Sequence, residues 1–307
     1  MTARNPTNRP LLPVDVALDD FLVHLRAKRR SERTRDLYSQ SVNRLSAWLT
    51  AHDRSIEVTD ITRRDIDRFL ADLHGEVNPG TVALHFRNLR AFFNWLANEA
   101  EIDASPMHRM GEPSVPDVPP EVLSEEQLTA LFTSCKGRGF DERRDLAVLM
   151  VFADTGCRLG EVHGLRVDGL NRETRTLVVC GKGDKTRVVA LGDRAMDAMV
   201  RYLRVRGSHR HAGTSSMWLG RNGPLTSSGI AQILDRRAQQ AGIDHLNPHR
   251  FRHTFAHQWM AAGGQESDLM LIAGWTSPEM VRRYGRSAAA DRAREAQRRL
   301  SPVDRLA

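Results

Sequence analysis

Four separated strings in this chain carry side chains that can grip an oxyanion and move protons around it. They are Thr155-Gly156-Cys157-Arg158-Leu159-Gly160-Glu161, Gly181-Lys182-Gly183, His249-Arg250-Phe251-Arg252-His253, and Gly274-Trp275 with Tyr284 nine residues after the tryptophan. Guanidiniums stay charged at any working pH and chelate non-bridging phosphate oxygens through paired hydrogen bonds. A histidine three residues before an arginine shares its helical face, and can donate to the same anion or assist proton transfer. A tyrosine hydroxyl can act as a covalent nucleophile. Singly, each string has an ordinary reading: a helix junction, a basic hairpin tip, a surface ion-pair set, a packing tyrosine. The combination is what carries chemistry.

The elements that must position these residues are legible from periodicity and capping signals. From Val14 to about Asn98 apolar residues recur at helical spacing in four blocks. The first carries Val16, Phe21, Leu22 and Leu25, and the second Leu37, Val42, Leu45, Trp48 and Leu49. The third opens at a Thr62-x-x-Asp65 capping signal, and the fourth follows the Asn78-Pro79-Gly80 turn. Pro106, Pro113, Pro116, Pro119 and Pro120 then break the pattern, since proline removes donors and biases its predecessor away from helix. The expected organisation is a helical domain over 14–104, a proline-rich linker over 105–121, and a longer domain over 122–307. In that second domain Ser124-x-x-Gln127 caps one helix and another runs from about Asp141 to Thr155. Leu177–Cys180 and Arg187–Leu191 read as strands of a hairpin around Gly181–Thr186. Further helices are expected at about Asp193–Arg206, Thr226–Ala241, Asn247–Ala262, Glu266–Ala273, Pro278–Tyr284 and Ser287–Leu300. The fold class is mainly α: a helical first domain, then a mixed α/β domain that is mostly helical with a small antiparallel hairpin or sheet.

In this order and spacing the four strings resemble the tyrosine recombinase family, also called the phage integrase family, which includes the Xer-type recombinases. The resemblance covers nearly the whole chain. The N-terminal helices look like the family's core-binding, SAM-like domain, and Val122–Leu300 looks like its catalytic domain. The family's Arg, Lys, His-x-x-Arg, His or Trp, then Tyr fall on Arg158, Lys182, His249, Arg252, Trp275 and Tyr284. The implied reaction is strand exchange in DNA through a 3′-phosphotyrosyl bond to Tyr284 with a free 5′-hydroxyl, which conserves phosphodiester energy and needs no ATP or other cofactor. Arg158 and Arg252 would stabilise the doubly anionic pentavalent transition state. The leaving 5′-oxygen needs a proton that arginine holds too tightly to give, whereas a lysine with cationic neighbours can supply it. Lys182 is the expected acid, with Lys185 its competitor in the same turn. Trp275 stands where many members have histidine. Its indole can donate one hydrogen bond and buttress the site but cannot titrate, so proton transfers fall to His249 and Lys182. Glu161 reads either as a carboxylate orienting His249 or Arg158, or as a plain surface group.

Bulk properties fit a polyanionic partner. The net charge is +7 with pI near 9.9. Fifteen basic and fifteen acidic residues fall within the first 106, so the later two-thirds carry the entire excess. Lysine occurs at only four positions, Lys28, Lys136, Lys182 and Lys185, and two of these are in the hairpin turn. The three cysteines form no CxxC pair and an odd set, which argues against a disulfide framework. No apolar run approaches the ~20 residues of a membrane span, and no apolar region follows Met1–Arg9 as a signal peptide requires. A cytoplasmic protein is expected. His245, His249, His253 and His257 recur every four residues, but Pro248 interrupts the stripe and no HExxH is present, so no metal is expected.

The expected partner is double-stranded DNA, running between the two domains. By resemblance, four protomers of this chain or of a related recombinase would synapse two sites, with the Ser287–Leu300 helix docking on a neighbour. Only about a dozen residues precede the first helix, which favours a simple Xer-like two-domain architecture. The biological outcome is expected to be integration, excision or resolution, as for a mobile element. Two other functions compete: a type IB topoisomerase, which relaxes supercoils by the same chemistry as a monomer, and a non-catalytic DNA-binding regulator on the same fold.

Overall fold

The computed structural model describes residues 11–116, 120–181, 185–244, 246–275, 277, 279, 281, 293–294, 296–301 and 303–305. The chain divides into two compact units, Met1–Asp117 and Val118–Ala307. Among the described residues no helix is long and apolar enough to cross a membrane.

The first unit is four helices, α1 (Val14–Ala27), α2 (Glu32–Ala51), α3 (Arg63–Glu76) and α4 (Pro79–Asn98). Each of the last three starts at a side chain that satisfies an orphan amide of the first turn. The Ser31 hydroxyl accepts from the Thr34 amide, Thr62 and Asp65 cap each other reciprocally, and Asn78 accepts from the Thr81 amide with Pro79 at the helix start. Phe21, Leu45, Leu49, Ile66, Phe69, Phe86, Phe92 and Phe93 fill the core. On α1 the buried stripe is Val14, Ala17, Leu18, Phe21 and Leu25. Val16, expected inside, is 48% exposed, because one step off the 3.6-residue repeat turns a side chain to solvent.

A polar knot crosses the helices. Asn88 Nδ2 donates to Ser41 Oγ at 2.9 Å and to the Leu37 carbonyl at 3.1 Å, while His85 Nδ1 lies 3.0 Å from the same hydroxyl. Burial, then the charge of Arg44, lowers the pKa of His85 and keeps it neutral there. The stretch read as linker is packed at its start. Met107 and Met110 are buried in the first core, and Arg90 donates to the Met110 carbonyl at 2.7 Å. Proline signals prevent a helix but do not stop interposed methionines from burying apolar surface.

The second unit is mostly helical with a small antiparallel sheet. Its helices are α5 (Glu125–Thr133), α6 (Phe140–Thr155), α7 (Leu159–His163), α8 (Asp193–Arg206), α9 (Ser227–Gln240), α10 (Pro248–Ala261) and α11 (Glu266–Ala273). The expected hairpin, β2 (Thr176–Cys180) and β3 (Thr186–Ala190), gains a third strand, β1 (Leu170–Asn171), and β4 (Leu219–Gly220) pairs with β5 (Gly223–Pro224). The extra strands are two residues each, too short for alternation to reveal. α6 is central and packs against α8 and α10. It carries the fully buried Asp145, whose carboxylate receives Arg144, Arg236 and Arg237 at 2.7–3.0 Å and so ties α6 to α9. The segments expected as helices over Pro278–Tyr284 and Ser287–Leu300 lie largely outside the described residues.

Candidate active site

The site assembles where α6 ends. Gly156 caps that helix in the left-handed region (φ 58°), and a Cβ there would stand 2.7 Å from Phe255 Cδ1. The chain reverses, and Cys157 donates its amide to Thr155 Oγ at 3.3 Å. Arg158 then becomes the N-cap of α7, in a reciprocal arrangement with Glu161. The Arg158 amide donates to Glu161 Oε2 at 2.7 Å and its Nη1 to Oε1 at 3.1 Å. Arg158's side chain stays 44% exposed, and Glu161's is 4% exposed. Glu161 is therefore no surface carboxylate.

A residue not singled out in the sequence completes this pair. Arg187, on β3, meets Glu161 as a fork, with Nη1 to Oε1 at 2.8 Å and Nη2 to Oε2 at 2.9 Å. Its Nε donates to the Ile272 carbonyl at 2.7 Å, and Nη2 lies 3.7 Å from Cys157 Sγ. Burial works to raise the Glu161 pKa, but hydrogen bonds from Arg187 and the Arg158 amide, with both positive charges, hold it below the usual carboxylate value. The signal was present in the strand alternation. Arg187 shares the inward parity with Val189, opposite Val179, and a charge there requires a buried partner.

α10 brings the second arginine. Asn247 caps it by accepting from the Arg250 amide at 2.9 Å, and Pro248 sits at its start. His249 and Arg252 follow three residues apart on one face. Arg252 is 3% exposed. Its Nη1 donates to the Gly156 carbonyl at 2.9 Å, Nη2 donates to the Ala273 carbonyl, and Cζ lies 4.8 Å over the Trp275 ring. Burial and then the charge of Arg158 depress its pKa to about 10. Partial burial, then Arg252 and Arg158, lower the His249 pKa as well. Gly274 ends α11 in the left-handed region (φ 63°), and a Cβ there would stand 3.3 Å from Arg187 Nη1. Trp275 follows, buried in a cluster with Ala256, Met260, Leu269, Ala273 and Val281.

Arg158, His249, Arg252 and Trp275 are thus brought to one place around Glu161 and Arg187. Lys182 and Tyr284 lie outside the described residues. Gly181, just before Lys182, is so close that a Cβ on it would stand 3.3 Å from Glu161 Oε1. Lys185 is exposed, and its carbonyl accepts from the Gly181 amide at 2.8 Å to close the base of the turn. His249 and His253 rings are 6.4 Å apart, and among the described residues no group of three or more potential ligands is arranged for a metal ion.

Two guanidiniums, those of Arg158 and Arg187, share the Glu161 carboxylate, and the third, Arg252, bonds backbone carbonyls, its pKa depressed by burial and then by the charge of Arg158. The fold and site define a class: a two-unit, mostly helical protein with an arginine-rich candidate site. Comparisons with known proteins specify it. The family model described as "Phage integrase family" matches residues 121–291, and "Phage integrase, N-terminal SAM-like domain" matches 18–102. The tyrosine recombinase XerC of Corynebacterium efficiens is 30% identical over 275 residues, covering 87% of this chain and 86% of the relative. The fold is shared with the XerH site-specific recombinase in a post-cleavage complex with palindromic difH substrate (TM-score 0.74, 16% identity, 91% of this chain and 83% of that one). It is also shared with a lambda integrase dimer bound to a COC′ core site (TM-score 0.73, 14% identity, 90% and 77%). The chain belongs to the phage integrase family, the tyrosine-type site-specific recombinases.

Proposed function

We propose that this recombinase cuts and rejoins double-stranded DNA through a covalent bond to Tyr284, without cofactor or metal. The observation that carries the reading is the convergence of Arg158, His249 and Arg252 from α7 and α10 on one cluster that, among the described residues, holds more positive charge than the Glu161 carboxylate balances. A phosphodiester supplies the missing negative charge, and the charge grows in the pentavalent transition state where such donors act most strongly. In the proposed step the Tyr284 oxygen bonds to phosphorus as the bond to the 5′-oxygen breaks. The phenolic proton passes to a neighbouring base, for which the neutral His249 is suited, and the 5′-oxygen takes its proton from Lys182. A 5′-hydroxyl of the exchanged strand reverses both transfers and releases Tyr284. Trp275 holds Arg252 through its ring face and carries no proton.

Assembly of four protomers on two synapsed sites, of this chain or with a related recombinase, belongs to the proposal, as do cytoplasmic action and a role in integration, excision or resolution. The experiment uses a nicked suicide duplex built on the sequence this chain recovers from a random DNA pool. A covalent protein–DNA adduct is expected, and Tyr284→Phe should abolish it. Adduct formed by Tyr284→Phe would show that another residue is the nucleophile.

A further inference from the structure

Among the described residues Glu161 accepts four hydrogen bonds, two from Arg158 and two from Arg187. Both carboxylate oxygens are shared between the two arginines, but the arginines differ in exposure. Arg158 is 44% exposed and Arg187 is 16% exposed. The buried fork lies parallel to the carboxylate, the geometry in which an arginine–carboxylate pair is strongest. The exposed guanidinium touches it through one nitrogen only. Arg187 therefore takes up the carboxylate's charge and leaves Arg158 a nearly uncompensated cation facing outward.

The third arm of Arg187 reaches the end of α11. Its Nε binds the Ile272 carbonyl, and Arg252 binds the next carbonyl, Ala273. These are orphan acceptors at the negative end of a helix. One side chain on the hairpin stem thus holds the base of Arg158 and the turn that carries Trp275, while Gly181, at the root of the same hairpin, abuts Glu161.

Resting on the proposed function above, we infer that Arg187 is a positioning residue for strand cleavage. It serves as the counter-ion that keeps Glu161 from neutralising Arg158, and it locks the hairpin to the phosphate clamp. With a neutral residue at 187, Arg158 is the hydrogen-bond partner that Glu161 keeps among the described residues, and the clamp loses much of its charge. Removing the carboxylate as well restores that charge, and glutamine at 161 keeps an oxygen to accept from the Arg158 amide.

Single-turnover adduct formation on the suicide duplex, at saturating DNA, tests this. Arg187→Met should slow the step about 100-fold, the range seen for loss of one transition-state donor. Duplex affinity, spread over many phosphates, should stay within about fivefold. Arg187→Lys, which keeps charge without the fork, should be intermediate. Arg187→Met with Glu161→Gln should regain about tenfold over Arg187→Met, a recovery that lost packing alone does not produce. Thermal melting monitors folding, and should Arg187→Met melt below the assay temperature, the same pair is made with Arg187→Gln. A folded double variant no faster than the single one overturns the counter-ion role, as does Arg187→Met at unsubstituted speed. Failure of the unsubstituted chain to form adduct, or adduct from Tyr284→Phe, overturns the proposed function itself and the role of Arg187 with it.

Discussion

Arg252 is buried with two carbonyls and an indole ring as neighbours, and among the described residues its hydrogen-bond partners include no carboxylate. Such a cation is costly in the free protein and gains when an anion arrives. His249 belongs to the same field. Its pKa is lowered, so the free protein binds this proton less readily than an unfolded chain does. Two consequences follow with opposite sign. The folding stability that His249 permits is complete above the ordinary histidine value of about 6.5 and declines as pH falls through the lowered one. A phosphate bound beside it favours the imidazolium, so binding takes up a proton and tightens on acidification through that window. Fluorescence anisotropy with the selected duplex should show affinity rising as pH drops below about 6.5, and His249→Gln should flatten the rise. An equal rise in both proteins would assign the titration elsewhere.

At the scale of elements, the site is a set of helix ends. α6 and α11 each stop at a left-handed glycine, and α7 and α10 each begin at a capped first turn. The ends matter because backbone groups left unpaired there become ligands for side chains: Gly156 and Ala273 offer their carbonyls to Arg252. Gly156→Ala forces a Cβ into the left-handed region and against the Phe255 ring. Backbone strain of this kind costs about 1–3 kcal/mol. Denaturant unfolding should register that loss in the second unit, and adduct formation should slow along with it because the Gly156 carbonyl shifts under Arg252. Unchanged stability would mean that the turn is less constrained than its geometry implies.

For the whole molecule, membership in the phage integrase family sets an expectation about sites rather than single contacts. On the proposed assembly of four protomers at two sites, a supercoiled plasmid with two selected sequences should yield recombinants, and a plasmid without them should stay supercoiled. Relaxation of any plasmid without recombinants would overturn this and favour the competing topoisomerase reading. The basic surplus in the later two-thirds of the chain, with neutrality in the first 106 residues, places the excess positive charge in the unit that carries the arginine cluster.

Much of this is legible in the order of the residues. Capping signals such as Thr62-x-x-Asp65, Ser124-x-x-Gln127 and Asn247-Pro248 act within one helical turn, so their helices start where the residues say. Apolar periodicity named the core helices, and the spacing of the four strings gathered Arg158, His249, Arg252 and Trp275 as candidates. Non-local matters stayed hidden. Arg187 and Glu161 are 26 residues apart, and only the packing of α7 against β2 and of α11 against β3 brings the carboxylate within reach of two arginines. Met107 and Met110 lie in a proline-rich stretch whose local chemistry signals a linker, yet a neighbouring apolar core recruits them. Residue types and helical segments were legible in the chain of amino acids because they depend on near neighbours. Which charges neutralise one another, and which stays exposed, emerged with the packed fold, because pairing and desolvation depend on what distant segments bring together.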